Sequence, residues 1–170
     1  MRLALLTLLS LAARLLAQIP DPAPPQAFEM APGVRYDATV PTLDQVTGHA
    51  WGTEISSHRD VESYVQALQR AAPDRVRVMR YAETWQGRAL SYVAVSGPQN
   101  VARLPAIQAS MQRLADPRGL QTNEVEALLD GLPAVGWLAN CVHGDEPSGT
   151  DAALYVLCLL YTSPSPRDRS

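Results

Sequence analysis

The sequence predicts an α/β fold, in the form of a three-layer α/β/α sandwich whose helices cover a mixed sheet. Residues 75–83 and 89–96 alternate between polar and apolar side chains on either side of a turn that contains Gly87, which predicts a β-hairpin. The apolar stretch from Ala134 to Val142 is followed by a helical pattern, which indicates a buried strand of an α/β unit. With three strands at most, the sheet would be incomplete in this chain and would keep an unpaired edge.

The first 17 residues predict a secretory signal peptide. A basic residue, Arg2, precedes the apolar stretch from Leu3 to Ala13, and Ala17 supplies a small residue for cleavage. The apolar part is too short to span a bilayer. Residues 18–40 are rich in proline and lack periodicity, so we expect an extended lead-in before a domain that covers residues 41–157. These features predict a secreted or periplasmic protein with no membrane span in the mature chain.

Amphipathic patterns predict helices before and after the hairpin. Ser56 or Ser57 can cap a helix that runs from about His58 to Ala71. Val101 to Ala115 has the spacing of a second amphipathic helix, and a short helix is expected from Glu124 to Leu129. These helices supply the layers that would cover the predicted sheet.

The predicted third strand ends at the sequence HGDEPSG, residues 143–149, and a helical apolar pattern starts just beyond it. Open α/β sheets bind ligands at the carboxyl ends of their strands, which is where His143 and Glu146 would lie. An imidazole nitrogen and a carboxylate at this spacing can bind one zinc ion, and a catalytic His₂Glu site needs one further histidine from elsewhere. We therefore predict His143 and Glu146 as zinc ligands.

The motif and the hairpin both resemble those of a known family. The string PAVGWLANCVHGDEPSG resembles the zinc carboxypeptidases, or metallocarboxypeptidases, whose metal motif is a strand followed by His-Gly-x-Glu-Pro-Ser-Gly. The segment TWQGRALSYVAVSGPQN is similar to the family's hairpin with Gly-Arg at its turn. The resemblance implies the same sandwich fold and a secreted enzyme that uses zinc-activated water to hydrolyse peptide bonds at the C-termini of peptide or protein substrates.

The rest of the catalytic apparatus that the resemblance implies would lie beyond Leu157. The family adds a third histidine ligand, a glutamate as general base, and arginine and tyrosine side chains that hold the substrate carboxylate and the transition state. We therefore expect this chain to be the N-terminal part of a larger enzyme and to be inactive by itself. Residues 158–170 include CLLYTSPSPRD, which resembles the translation of an adapter used in DNA sequencing libraries, so we expect a non-native tail there.

The other residues near the motif are expected to have structural roles. Cys141 is expected to be a small buried hydrophobe that shares a strand face with His143, and a metal or redox role is the alternative. Ser148 is the expected cap of the helix that follows the motif. His49 and His58 are expected to be surface or loop histidines.

Composition excludes some function classes and leaves alternatives open. The net charge of −3 and the lack of a basic run argue against a nucleic-acid partner, and the two cysteines do not make a disulfide framework. The same fold and the same His-x-x-Glu start also serve zinc deacylases related to aspartoacylase, which release acyl groups from small amino acids. A non-catalytic peptide- or glycan-binding relative and a plain structural module are further alternatives.

Overall fold

The computed structural model describes residues 37–162, which form six helices and two strands. In chain order these are α1 (Leu43–Thr47), α2 (His58–Ala71), β1 (Val76–Glu83), β2 (Ala89–Val95), α3 (Pro98–Ala102), α4 (Leu104–Ala115), α5 (Thr122–Gly131) and α6 (Pro147–Thr162). The mixture of helices and strands confirms an α/β fold in the general sense. Within the described range the sheet has two strands, so these residues do not by themselves form a three-layer sandwich. No helix in this range is long and apolar enough to cross a membrane.

The predicted hairpin is confirmed to within one residue at each outer end. Strands β1 and β2 pair antiparallel, with Val76 opposite Val95 and a bulge near Arg80. Gly87 has a φ of +75° at the turn, a backbone conformation that glycine adopts without steric cost. Its N–H donates to the carbonyl of Thr84 at 2.9 Å, which closes the turn. The alternating sequence and one glycine are therefore sufficient to specify this unit.

Helix α2 has the bounds that its sequence pattern predicts. The Ser57 hydroxyl accepts a hydrogen bond from the Asp60 N–H at 3.3 Å, and the Asp60 carboxylate accepts one from the Ser57 N–H at 2.8 Å. This reciprocal arrangement is a capping box, which satisfies two backbone donors at the helix start. Tyr64 and Leu68, one turn apart, are fully buried. The apolar stripe of α2 therefore faces the core, as its spacing indicates.

A single apolar core joins α1, α2, β1 and α6. Trp51 contacts Tyr64 and Tyr155 edge to face, with ring centroids 5.7 and 5.4 Å apart, so the loop before α2 is also attached to this core. Val40 is buried as well, although the sequence placed it in the lead-in. The buried members of the core are Val40, Leu43, Tyr64, Val65, Leu68, Val76 and Leu154.

The predicted helix from Val101 to Ala115 is wrong in one respect, because the structure contains two helices there. Helix α3 begins earlier, at Pro98, and the chain leaves helical geometry at Arg103, where φ is −111°. Pro105 explains the break, since it has no N–H to donate to the Val101 carbonyl and its ring would clash with that group. Helix α5 also begins two residues earlier than expected, because Gln121 forms a capping box with Glu124.

The predicted third strand, Ala134 to Val142, is wrong for this structure. The segment is irregular, and its apolar side chains Trp137, Leu138 and Val142 are about three-quarters exposed, at 74, 74 and 75%. A strand is stabilised by ladder hydrogen bonds to a neighbour, and the two-stranded sheet does not pair with this segment. Its contact with the sheet is a ring contact between Trp137 and Tyr92, with centroids 6.4 Å apart.

Helix α6 begins at Pro147 rather than after Gly149, and it continues through residues 158–162 of the predicted tail. Leu154 and Cys158 on α6 are buried. The burial of Tyr64 raises the pKa of its phenol, and the neighbouring Cys158 raises that pKa further. The Arg75 guanidinium donates to the Leu160 carbonyl at 3.1 Å. The signal peptide, residues 18–36 of the lead-in and residues 163–170 of the tail lie outside the described residues, and the non-native origin of the tail stays a prediction.

Candidate metal site

The loop of residues 141–149, referred to below as the motif loop, brings the two predicted ligands His143 and Glu146 together. Nδ1 of His143 lies 3.0 Å from Oε1 of Glu146. Two successive turns produce this approach. The Glu146 N–H donates to the His143 carbonyl at 3.3 Å, and the Gly149 N–H donates to the Glu146 carbonyl at 3.1 Å. A sequence separation of three residues within a closed turn places both side chains on the same side of the loop.

The pair is open to solvent. The His143 side chain is 72% exposed and the Glu146 side chain is 53% exposed. An exposed ion pair of this kind stabilises a fold by only about 0.2–1 kcal/mol, because solvent screens the charges. The pair therefore contributes little to the stability of the fold. Both side chains are accessible to an incoming ligand.

The separation of the two donor atoms fits a shared zinc ion. Two ligand atoms that each lie about 2.0–2.1 Å from a tetrahedral zinc are about 3.3 Å apart. The observed 3.0 Å between Nδ1 of His143 and Oε1 of Glu146 differs from this by about 0.3 Å. A small side-chain rotation is enough to close that difference, although the Glu146 carboxylate also lies 3.5 Å from the His143 backbone nitrogen. The two residues therefore fit two of the three protein ligands that a catalytic zinc site requires.

A third ligand is not supplied by residues 37–162, where no group of three or more His, Cys, Asp and Glu side chains is arranged to hold a metal. His49 lies in a loop, which is one of the two expected alternatives, but its side chain is only 8% exposed, with Nε2 3.9 Å from Oδ2 of Asp60. His58 bonds through Nε2 to the Ala89 carbonyl at 2.9 Å. Two residues further on from His49, Trp51 packs against the core and contacts the ring of Tyr64 on α2.

Cys141 differs from its predicted environment. It is partly exposed rather than buried, since the strand that would have buried it is not formed. Its thiol donates a hydrogen bond to the Glu146 carbonyl and lies 3.1 Å from Oγ1 of Thr150. Ser148 is likewise not the helix cap that was expected, because the helix already includes Pro147. The alternating pattern that predicted a strand gave no indication of these contacts of Cys141 within the motif loop.

A shallow cleft of about 280 Å³ is lined in part by Pro147, the residue that follows Glu146. Its wall is formed by the loop Gly52–Ile55 on one side and by Pro147, Ser148 and Asp151 on the other. The Asp151 carboxylate accepts hydrogen bonds from the Gly52 N–H at 3.1 Å and from the Ser56 hydroxyl at 2.5 Å. Asp151 thus ties the start of α6 to a loop about 100 residues earlier. Sequence reasoning missed this link, because nothing local in the sequence relates the two segments.

Comparisons with protein-family models, with curated proteins and with solved structures found no match for this chain. Two features of the chain therefore support a metal site. One is the sequence HGDEPSG, and the other is the convergence of His143 and Glu146 in the loop that this sequence forms.

Proposed function

We propose that this chain is the N-terminal part of a secreted zinc metallocarboxypeptidase, which hydrolyses peptide bonds at the C-termini of peptide or protein substrates. The observation that carries the proposal is the 3.0 Å approach of Nδ1 of His143 to Oε1 of Glu146 in an exposed loop at the start of a helix. The resemblance of HGDEPSG to the metal motif of the zinc carboxypeptidases supplies the reaction class. The peptide substrate class follows from that resemblance alone.

The exposed apolar segment supports a larger sheet in the complete enzyme. Trp137, Leu138 and Val142 expose most of their apolar surface to water. Soluble proteins rarely leave such a run uncovered, because its burial is favourable by about 25 cal/mol per Å². We propose that neighbouring strands pair with residues 134–142 in the complete enzyme, which would then have a three-layer α/β/α sandwich with a mixed sheet.

His143 and Glu146 have defined roles in this proposal. His143 would give a neutral imidazole nitrogen and Glu146 a carboxylate, so a metal bound through Nδ1 requires the imidazole proton to lie on Nε2. The turn at residues 143–146 reverses the backbone between the two ligands. A zinc ion held by these two residues and a third ligand would supply polarisation of the scissile carbonyl and would lower the pKa of a bound water toward about 7. Because a third ligand and a general base are needed as well, we expect this chain to bind zinc weakly and to lack turnover.

The proposal is tested by zinc titration of the purified chain, with calorimetry as the readout. We expect one weak site, which His143→Ala and Glu146→Ala each abolish. A matched control is the pair His58 and Glu62, another His–carboxylate pair, in which Nδ1 and Oε2 lie 3.6 Å apart. This distance deviates from the zinc-ligand separation by a similar ~0.3 Å, so the control tests whether proximity without the HGDEPSG sequence gives a site. The double substitution His58→Ala with Glu62→Ala should leave zinc binding unchanged.

Two results would count against the proposal. Equal zinc binding by the chain and by its His143→Ala variant would remove the metal site. Clear zinc-dependent cleavage of a C-terminal peptide bond by this chain would show that the expectation of inactivity is wrong.

A further inference from the structure

We propose that Cys141 is a positioning residue for the metal pair, in that its thiol fixes the backbone of Glu146 so that the carboxylate faces His143. This inference rests on the proposed zinc site and assigns a new role to a residue that is not itself a ligand. It is based on three independent features of the loop, namely an unusual backbone angle, a pair of hydrogen bonds and a close approach to a glycine.

The first feature is the backbone of Cys141, which has a φ of +55°. Among the described residues, Cys141 is the only non-glycine residue with a positive φ. This left-handed conformation is unfavourable for a residue with a Cβ atom, so surrounding contacts must maintain it. Such outliers concentrate at functional sites, and this one lies two residues before His143.

The second feature is the hydrogen bonding of the thiol. A thiol has one proton, and here it donates to the Glu146 carbonyl. The Thr150 hydroxyl, with Oγ1 3.1 Å from Sγ, is therefore the donor to the sulfur. The same Glu146 carbonyl also accepts the Gly149 N–H at 3.1 Å. The backbone of Glu146 is thus held from two directions, which limits where its carboxylate can point.

The third feature is the contact between Cys141 and Gly149. A Cβ atom at Gly149 would lie 3.1 Å from the Cys141 nitrogen and 3.3 Å from its sulfur. Both distances are shorter than ordinary van der Waals contacts of a carbon atom. Because Gly149 has no side chain, Cys141 can approach the start of α6 closely enough to reach the carbonyl of Glu146.

Zinc affinity and the metal-free loop together test this role. Supporting groups of metal ligands typically change metal affinity by about 10-fold or more when they are removed. We expect Cys141→Ala and Thr150→Val each to weaken zinc binding by about 10-fold. Cys141→Ser should recover most of the loss, because a hydroxyl can donate to the same carbonyl. Thr47→Val is the matched control, since Oγ1 of Thr47 donates to the Leu43 carbonyl within α1.

A second variant separates positioning from folding. Cys141→Gly removes the thiol but also removes the cost of positive φ, so it should fold at least as stably as the parent chain. We expect it to lose zinc affinity as Cys141→Ala does. In the metal-free protein, nitrogen-15 NMR of the His143 ring should show loss of the Nδ1–H hydrogen bond to Glu146 in both variants.

The outcomes distinguish this inference from the proposed function. Unchanged zinc affinity and an unchanged His143 ring signal in Cys141→Ala would overturn the positioning role, while loss of binding in His143→Ala would still support the zinc site. If His143→Ala keeps its zinc, the proposed function fails, and the metal-free NMR signal still decides the role of Cys141. A sulfur-to-metal charge-transfer band in the cobalt-substituted chain would make Cys141 a ligand and would also overturn the inference.

Discussion

The capping box at the start of α2 provides a direct test of the fold. Substitution of Ser57 by alanine removes the hydrogen bond from the Asp60 N–H at 3.3 Å and the one that the Ser57 hydroxyl donates to the Asp60 carboxylate at 2.6 Å. The bond from the Ser57 N–H to the same carboxylate, at 2.8 Å, is retained. Loss of a serine cap costs about 1 kcal/mol. Since α2 carries the fully buried Tyr64 and Leu68, this loss should appear in the global free energy of unfolding.

Urea denaturation followed by far-UV circular dichroism measures the effect. Ser57→Ala should lower the midpoint with an unchanged slope, and the melting temperature should fall by about 4 °C. Ser110→Ala is the matched control, because Ser110 lies inside α4, where alanine has the higher helix propensity. This control should be neutral or slightly stabilising. Equal destabilisation by the two substitutions would mean that Ser57 has no special role at the helix start.

Three further predictions follow from the core, the cap and the link to α6. Leu68→Ala should destabilise the chain by about 2–5 kcal/mol in the same urea assay, because it leaves a cavity at a fully buried position, and a loss below about 1 kcal/mol would contradict the packing. Hydrogen bonds from Ser57 to the Asp60 carboxyl hold the pKa of that carboxyl below its usual value. The stabilising contribution of the Asp60 carboxylate is therefore present above the unfolded pKa of about 3.9, and it is lost as the pH falls through the lower folded pKa. Asp60→Asn should therefore flatten the acid side of the stability profile. An unchanged profile would contradict this expectation. Asp151→Ala removes the acceptor of the Gly52 N–H, so hydrogen exchange at the Gly52 amide should accelerate while exchange in β1 stays the same; equal acceleration in both would indicate general destabilisation.

Local signals explain which elements could be predicted from the sequence. Helix α2 was predicted with its observed bounds because Ser57 and the apolar stripe both act over a few residues. The hairpin was predicted because alternation and Gly87 specify it locally. The break at Pro105 also had a local signal, which the amphipathic pattern of residues 101–115 outweighed. These elements depend on neighbours in sequence, so pattern reasoning is sufficient for them.

Elements that depend on distant partners could not be predicted in the same way. Residues 134–142 have the composition of a buried strand, but a strand forms only where another strand pairs with it. In the described residues that partner is missing, and the apolar side chains stay exposed. The link from Asp151 to Ser56 spans about 95 residues and has no local pattern.

The candidate site combines both situations. The spacing of His143 and Glu146 predicted that they would meet, and the structure places their donor atoms 3.0 Å apart. The role of Cys141 in the loop was not predicted, because the sequence was interpreted as a regular strand with alternating faces. Its left-handed backbone turns the thiol toward Glu146 instead. Whether the pair binds zinc stays a prediction from the motif and this geometry.

Nitrogen-15 NMR of the histidine side chains during zinc addition shows which residues bind the metal. The chain has three histidines, and each environment differs, since His49 is buried, His58 bonds to a carbonyl and His143 faces Glu146. We predict that zinc shifts the ring nitrogens of His143 alone and that Glu146→Gln reduces this shift. A His143 signal that does not move at saturating zinc, or that moves no more than those of His49 and His58, would contradict the account.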